Sequence, residues 1–331
     1  MLAFAAKRLV GMVLILILLV AAVFALQHIS DVDPARAAVG EHASQAVVEA
    51  ESHRLGLDRP ITTQFVDYLG DVATGNLQTS LRTHQPVLTD IGDHLPASIE
   101  LMLVAILFAL PMAIFFGVSG AARWRGTGPF RFLWLILAAA PPFVLGLLMI
   151  ILFYEKLGWL PASGRTEVLR PPTGPTGFLM LDGLLHGELN VTWDAFRHLL
   201  LPGFALALLP AVAVGRTLRG GIITNLRADH VRVARAKGLS DWQVLRRHTL
   251  RNAAGPALAM AGLMVGLMFA SLTVVEQVFS FPGIGLYLDE SLPLGDFPAI
   301  AGVTLLFGIS YVVVNTLVDI LQAAADPRLR A

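Results

Sequence analysis

Residues 97–120 read ASIELMLVAILFALPMAIFFGVSG. Glu100 is the sole charged side chain in this run. An apolar stretch of about 20 residues matches the thickness of a bilayer's hydrocarbon core. In that medium no water is present to satisfy the backbone, so such a segment is stable only as a helix whose hydrogen bonds are internal. Pro111 lies inside the run, and a kink is expected there because neighbouring helices can satisfy the freed carbonyl.

Five other runs share this reading: Leu9–Leu26, Phe132–Phe153, Leu199–Val214, Ala257–Phe279 and Ala299–Leu321. Leu199–Val214 is the shortest, and Pro141, Pro142, Pro202 and Pro210 fall inside or at the ends of these runs, where kinks rather than chain breaks are likewise expected. Of 331 residues, 55% are hydrophobic and 15% charged, whereas soluble chains are about a quarter charged. The expectation is an all-α membrane protein with six transmembrane helices. Lys7 and Arg8 precede the first run as in a signal peptide. Its length exceeds the usual apolar region of about 7–15 residues, and no small-x-small site follows, so a retained first helix is expected.

Placement of Lys and Arg sets orientation. With six spans, sixteen of the 24 basic residues fall on the side of both termini, nine of them between Arg216 and Arg251. Both termini are therefore expected in the cytoplasm, with the chain multi-pass in a cell membrane. The organisation expected is a first helix over 1–26, an external segment over 27–94, a five-helix core over 95–323 and a cytoplasmic tail over 324–331. The core carries a cytoplasmic loop at 216–254. An amphipathic helix is expected near Ala37–Leu55 before Gly56 and Pro60, and an irregular external loop over Tyr154–His198, rich in Pro and Gly around Arg170–Gly177.

Several chemistries are excluded or unsupported. The chain has no cysteine, so no disulfide or thiolate site exists. Its nine histidines have no metal-ligand spacing, and no metal is expected. A net charge of zero gives no argument for nucleic acid, which is not expected as a partner. No GxxxxGK[ST] loop occurs, and Lys7, Lys156 and Lys237, the only lysines, fit none. Any ATP must act on another polypeptide, and no enzymatic activity is expected here. Gly117-Val118-Ser119-Gly120 fits the GxSG pattern of intramembrane serine proteases, but a serine needs a base within reach. His198 is expected at the opposite membrane face.

The most informative polar segment is GRTLRGGIITNLRADHVRVARAKGLSDWQVLRRHTLRNAAGPAL, Gly215–Leu258. Asn225–Lys237 is good helix material, Gly238 suits a left-handed terminus, and Ser240 with Gln243 forms a capping box. A second helix is expected from Asp241 to about Asn252, with Trp242, Leu245 and Thr249 on one face. Two short helices joined at a glycine make a knob that can press into another protein. The plain alternative is a basic loop that holds orientation and touches lipid headgroups.

This segment resembles the EAA loop of bacterial binding-protein-dependent ABC permeases, in the form found in the B-type permease subunit of dipeptide and oligopeptide importers. The match is carried by Val231-Arg232-Val233-Ala234-Arg235-Ala236-Lys237-Gly238-Leu239, then His248, Leu250 and Asn252. Arg232, Val233 and Ala234 stand where the general motif has Glu-Ala-Ala. Along the chain the resemblance extends to Leu55–Pro60, Thr79–Arg82, Leu95–Leu101, Pro141–Gly146, Leu157–Gly164, Val275–Gly285, Asn315–Asp319 and Asp326–Arg330. It departs at Ser30–Pro34, where the family has Pro-Gly-Asp-Pro, and at Gly75–Ser80, where it often has Gly-Asp-Leu-Gly-x-Ser.

The resemblance implies a type I ABC importer permease fold and a coupling loop that docks on an ATP-binding subunit, with Arg232, Ala234, Ala236, Gly238, His248, Leu250 and Asn252 in that loop. It further implies a second homologous permease subunit, two ATP-binding subunits or domains holding ATP and Mg, an extracytoplasmic substrate-binding protein and a peptide-like substrate. No cofactor is expected on this chain itself. A same-type importer of a nickel chelate or haem-like ligand is the first alternative. An ATP-independent secondary transporter is the second, although the internal repeats and central charges it would need are not evident.

Two further groups are candidates. Gly262, Gly266 and Ala270 recur every four residues, which lets helix backbones approach closely, either within the chain or against a second permease. Glu276 with Asp289, Glu290 and Asp296 could form an acidic external mouth favouring cationic or amine-bearing solutes. The plainer reading is polar groups at the membrane interface. Asn315 and Asp319 lie one turn apart in the last run, and intramembrane polar groups usually face a cavity or a partner.

Overall fold

A computed structural model describes residues 2–29, 34–40, 43–54, 56–122, 126–172 and 174–325. Leu55, Arg123, Arg125, the 326–331 tail with its Asp326–Arg330 motif, and most of the Ser30–Pro34 motif lie outside those residues, as do the side chains of Lys7, Arg8 and Asp319. In chain order the helices are α1 (Leu2–Ile29), α2 (Pro34–Val39), α3 (Gln45–Arg54), α4 (Ile61–Thr74), α5 (Val87–Ala121), α6 (Gly128–Ala139) and α7 (Pro142–Met149), which continues in π-helical turns to Lys156. Then come α8 (Leu179–Leu185), α9 (Leu189–Leu226), α10 (Asp229–Ala236) and α11 (Asp241–Val244), which passes through a π-helical stretch, Leu245–Thr249, into α12 (Leu250–Val278). The last two are α13 (Ile284–Ser291) and α14 (Phe297–Ala325).

Among the described residues five helical segments are long and apolar enough to cross a membrane: Val10–Ile29, Val87–Ala121, Leu189–Leu226, Asp241–Val278 and Phe297–Val318. The run Phe132–Phe153, expected as one span kinked at its prolines, is two helices. Gly128–Ala139 and Pro142–Lys156 meet at a bend of 115°. The cause is local. A proline disfavours helical geometry in the residue before it, and Ala140 and Pro141 are extended, with ψ of 142° and 143°. Each half is only about 20 Å long, short of the roughly 30 Å of hydrocarbon. The spans number six only if the bent pair counts as one.

The Leu199–Val214 run is the apolar middle of a much longer helix, α9, of 38 residues. The helix expected to end near Asn252 does not end there. It runs through Asp241–Val278 without interruption into the next span. In both cases hydropathy marks the lipid-matched portion, while the helix continues through polar sequence.

The chain divides into two compact units, one formed by residues up to Leu95 with Tyr287–Val312, the other by Pro96–Leu286 with the residues from Val313. In the first, α4 lays Phe65, Tyr68, Leu69 and Val72 against a core of Val20, Val23 and Leu305. These four recur at helical spacing, the signal of an amphipathic helix, which sequence inspection overlooked between Pro60 and Gly75. The Phe24 ring meets Phe65 edge-on at 5.4 Å. Burial pushes the Tyr68 phenol up to about 12. The helix expected near Ala37–Leu55 is instead α2 and α3, separated at Gly40, where φ is +94°.

In the second unit α9 is the central element, and most of its apolar stretch is buried. Its Gly203 and Gly215 face Val104 and Ala113–Phe116 of α5, so closely that a Cβ would stand 2.9 Å from the nearest atom in each case. The Tyr154–His198 stretch is irregular only in part, because α8 and the start of α9 lie within it. Arg165 ties the irregular portion down through Glu100 at 2.5 Å and the Gly177 carbonyl at 2.7 Å.

Candidate functional site

The Gly215–Leu258 segment folds as a helical knob with an internal seat. Leu226 ends α9, and Ala228, extended at ψ 151°, reverses the chain into α10. Val231 and Ala234 of α10 are buried against Val244, with Leu226 and Leu239 packed around them. Gly238 follows at φ +83°, a conformation that an L side chain adopts only at a cost of roughly 1–2 kcal/mol. The capping box is complete. The Gln243 amide donates to Ser240 Oγ at 3.4 Å, and the Ser240 amide donates to Gln243 Oε1 at 2.9 Å. Arg235 Nη2, 3.0 Å from Asp241 Oδ1, bridges the two short helices.

The π-helical stretch then shifts the register. Leu245 and Thr249 are buried, whereas Trp242, expected on the same face, is 59% exposed. An extra residue per turn rotates the face, so Leu245 joins a second buried group with Leu218, Ile222, Ala253 and Ala257. The knob is seated on α9 and α12 through apolar contacts. Its outer surface presents Val233, Ala236 and Trp242 among Arg232, Arg235, Lys237 and Arg246. Of the seven coupling-loop residues read from the sequence, Arg232, Ala236, Gly238 and Asn252 are exposed, His248 and Leu250 are half-buried, and Ala234 belongs to the seat. Sequence reading missed the separation of Trp242 from Leu245 and Thr249, because a π-helical insertion leaves no clear signature in residue spacing.

The four carboxylates read as an external mouth are placed differently. Glu276 is fully buried. Its Oε1 accepts from the Ser98 hydroxyl at 2.6 Å, and its Oε2 accepts from the Gly285 and Leu286 amides at 2.7 and 3.0 Å. Ser98 Oγ accepts in turn from the Ile284 amide at 2.8 Å. Glycine is required at 283, where a Cβ would overlap the Glu276 carboxylate. Asp296 is fully buried. It accepts from the Ser80 hydroxyl at 2.5 Å and the Arg82 amide at 3.1 Å, and it caps α14 through the Ala299 amide. Glu290 is exposed and paired with Arg82 at 2.8 Å, and Asp289 is half-buried. Glu276 and Asp296 are thus interior groups engaged by the protein's own donors, as buried carboxylates must be, and not part of an acidic surface.

Tyr287, also buried, donates to Asp90 at 2.9 Å. Burial, aided by the Asp90 and Asp296 carboxylates, holds its phenol well above the ordinary range. Of the small-residue series, Gly262 is buried where a Cβ would meet Val318 Cγ1 at 3.0 Å. Gly266 is half-buried and Ala270 exposed, so the series is not one uniform seam. Ser119 is fully buried. His198 is 21 residues from Arg219, whose side chain packs on Gly120; that is roughly 30 Å of helix, which excludes a Ser119–His198 pair. Among the described residues no group of three or more His, Asp or Glu side chains could hold a metal.

A small cleft of about 80 Å³ opens between α5, α9 and α12. Its lining is apolar: Ile106, Leu110, Pro210, Val214, Met264 and Met268 are among the residues around it.

The family model described as "Binding-protein-dependent transport system inner membrane component" matches residues 95–331. The corresponding N-terminal family matches residues 1–102. Similar proteins include a dipeptide transport system permease protein, DppB, of Alkalihalophilus pseudofirmus, 35% identical over 100% of both chains. A di/tripeptide transport system permease protein, DppB, of Pseudomonas aeruginosa is 39% identical over 93% of this chain and 92% of the relative. A glutathione transport system permease protein, GsiC, of Escherichia coli is 32% identical over 100% of this chain and 99% of the relative.

Proposed function

The chain belongs to the binding-protein-dependent transport system inner membrane components, the permease subunits of ABC importers, and from that premise we propose that it passes short peptides inward across the membrane. It performs no covalent chemistry. The peptide assignment draws on relatives whose names specify dipeptides, di/tripeptides and glutathione. Both termini face the cytoplasm in this reading, as the basic residues between Arg216 and Arg251 favour. The partners are a second permease of the same kind, two ATP-binding subunits carrying ATP and Mg, and an extracytoplasmic binding protein that delivers the peptide.

The observation that carries the coupling role is the knob itself. Val231, Ala234 and Val244 anchor it internally, while Val233 and Trp242 stand exposed at 54% and 59%. Exposed aromatic and aliphatic anchors ringed by arginine are the usual composition of an interface centre. A knob fixed to α9 and α12 transmits force to those helices. The apolar cleft between α5, α9 and α12 is one wall of the path, completed by the second permease. Apolar walls with few fixed polar groups suit solutes whose side chains vary.

Affinity purification in mild detergent tests this, with wild type beside an Ala236→Glu, Gly238→Pro variant. Wild type should bring down ATP-binding subunits and a second permease, and the variant should lose the first while keeping the second. Wild type that purifies alone and moves solute in liposomes without ATP would overturn the assignment of ATP-driven coupling.

A further inference from the structure

At the corner where α5 ends, α6 begins and α9 passes, two arginines stand together. A Cβ on Gly120 would lie 2.9 Å from Arg219 Nε and 3.4 Å from Arg131 Cζ, so the two cations are within about 6 Å of each other, a distance at which like charges repel. Both Nε atoms are buried without a hydrogen-bond partner among the described residues. Neither guanidinium is paired with a carboxylate among those residues. The sequence shows why: no Asp or Glu occurs between Glu100 and Glu155, or between Asp194 and Asp229. The carboxylates of the elements forming the corner, Asp90, Asp93 and Glu100 of α5 and Asp194 of α9, lie at the far ends of those helices, out of reach of the corner. Arg131 also sits over the Phe116 ring at 5.9 Å, which fixes its direction. Both side chains are half-buried, and so are reachable from the surface.

Two adjacent guanidiniums with unspent donors match the oxygens of a phosphate. The surroundings indicate where that phosphate comes from. The corner lies where the apolar span of α5 stops at Ala121. The adjoining helix α6 exposes Phe130, Phe132, Leu133 and Ile136, each at least 49% accessible. We propose that Arg131 and Arg219 bind the phosphate of an anionic phospholipid whose acyl chains lie along that face of α6. Basic pockets between membrane helices are suited to such headgroups. The lipid neutralises the pair and fixes the α5–α6 corner against α9. This site is independent of the transported solute.

The test uses the full chain with its copurifying subunits, delipidated in detergent and supplied with cardiolipin, phosphatidylglycerol, phosphatidylethanolamine or inorganic phosphate. Retained lipid is read by native mass spectrometry and protection by thermal unfolding. Wild type should retain the anionic lipids in preference to phosphatidylethanolamine. Arg131→Gln with Arg219→Gln should weaken retention about thirty-fold. Arg216→Gln, an exposed residue one turn away on α9, should leave it unchanged. If the double Gln variant fails to fold, Arg131→Lys with Arg219→Lys keeps the charge and should lose headgroup selectivity while remaining folded. Equal retention of phosphatidylethanolamine by wild type, or undiminished anionic-lipid retention by the folded variants, overturns the proposal. Protection by inorganic phosphate as strong as by lipid reassigns the site to free phosphate. Lipid retention that appears only once the ATP-binding subunits are stripped away gives the arginines to a protein carboxylate instead.

Discussion

Glu276 illustrates how one residue can be read correctly as special and wrongly as to why. A carboxylate in an apolar run must be engaged or costly, and here three donors engage it. Glu276→Gln would replace one oxygen by an amide donor, leaving either the Ser98 hydroxyl or the backbone amides of Gly285 and Leu286 poorly matched. The expected loss is about 1–3 kcal/mol of stability, measured as a lower unfolding midpoint in detergent. Ser98→Ala should lose a similar amount, and the double variant less than both together, because the pair shares one network. Tyr68 gives a prediction in pH. Its phenol is raised to about 12 in the folded chain, against an ordinary value near 10. A raised group contributes stability below its unfolded pKa and loses it as pH climbs toward the folded one. Thermal stability should therefore fall between about pH 10 and 12, and Tyr68→Phe should flatten that slope.

Among the elements, the knob and the bent pair carry the consequences. Trp242 touches little in the isolated chain, so Trp242→Ala should change stability by less than about 0.5 kcal/mol. In its proposed role as an interface anchor, its loss should nevertheless cost about 2 kcal/mol of binding, read as a roughly thirty-fold loss in retention of the ATP-binding subunits. The α6–α7 pair owes its 115° bend to Pro141 and Pro142. Replacing both by alanine restores two amides and permits a continuous helix. Spin labels near Gly128 and Lys156 should move from about 20 Å apart to about 40 Å, measured by pulsed dipolar spectroscopy. The chain has no cysteine, so labels enter without background.

For the whole molecule, the proposed place of the cleft between α5, α9 and α12 on the transport path makes a prediction. Ala261→Trp at its wall should block peptide uptake while leaving copurifying subunits and ATP hydrolysis in place. Uptake assays in reconstituted vesicles separate this from misfolding, since a misfolded chain would lose both.

The helical membrane architecture and the capping box of the Gly215–Leu258 segment were legible in the residues because each rests on local physics. Apolar length sets a span, Ser240 and Gln243 satisfy each other across one turn, and Gly238 tolerates a positive φ. Membership of the permease family was legible for a related reason: its motifs are short and ordered along the chain. What only the tertiary structure decided depends on partners distant in sequence. The burial of Glu276 by Ser98 and of Asp296 by Ser80, the turn of Trp242 away from Leu245, and the meeting of Arg131 with Arg219 over Gly120 all join residues or registers that spacing cannot link. Whether a polar side chain faces water, lipid or a donor is fixed by what packs against it, and that is not written in its own segment.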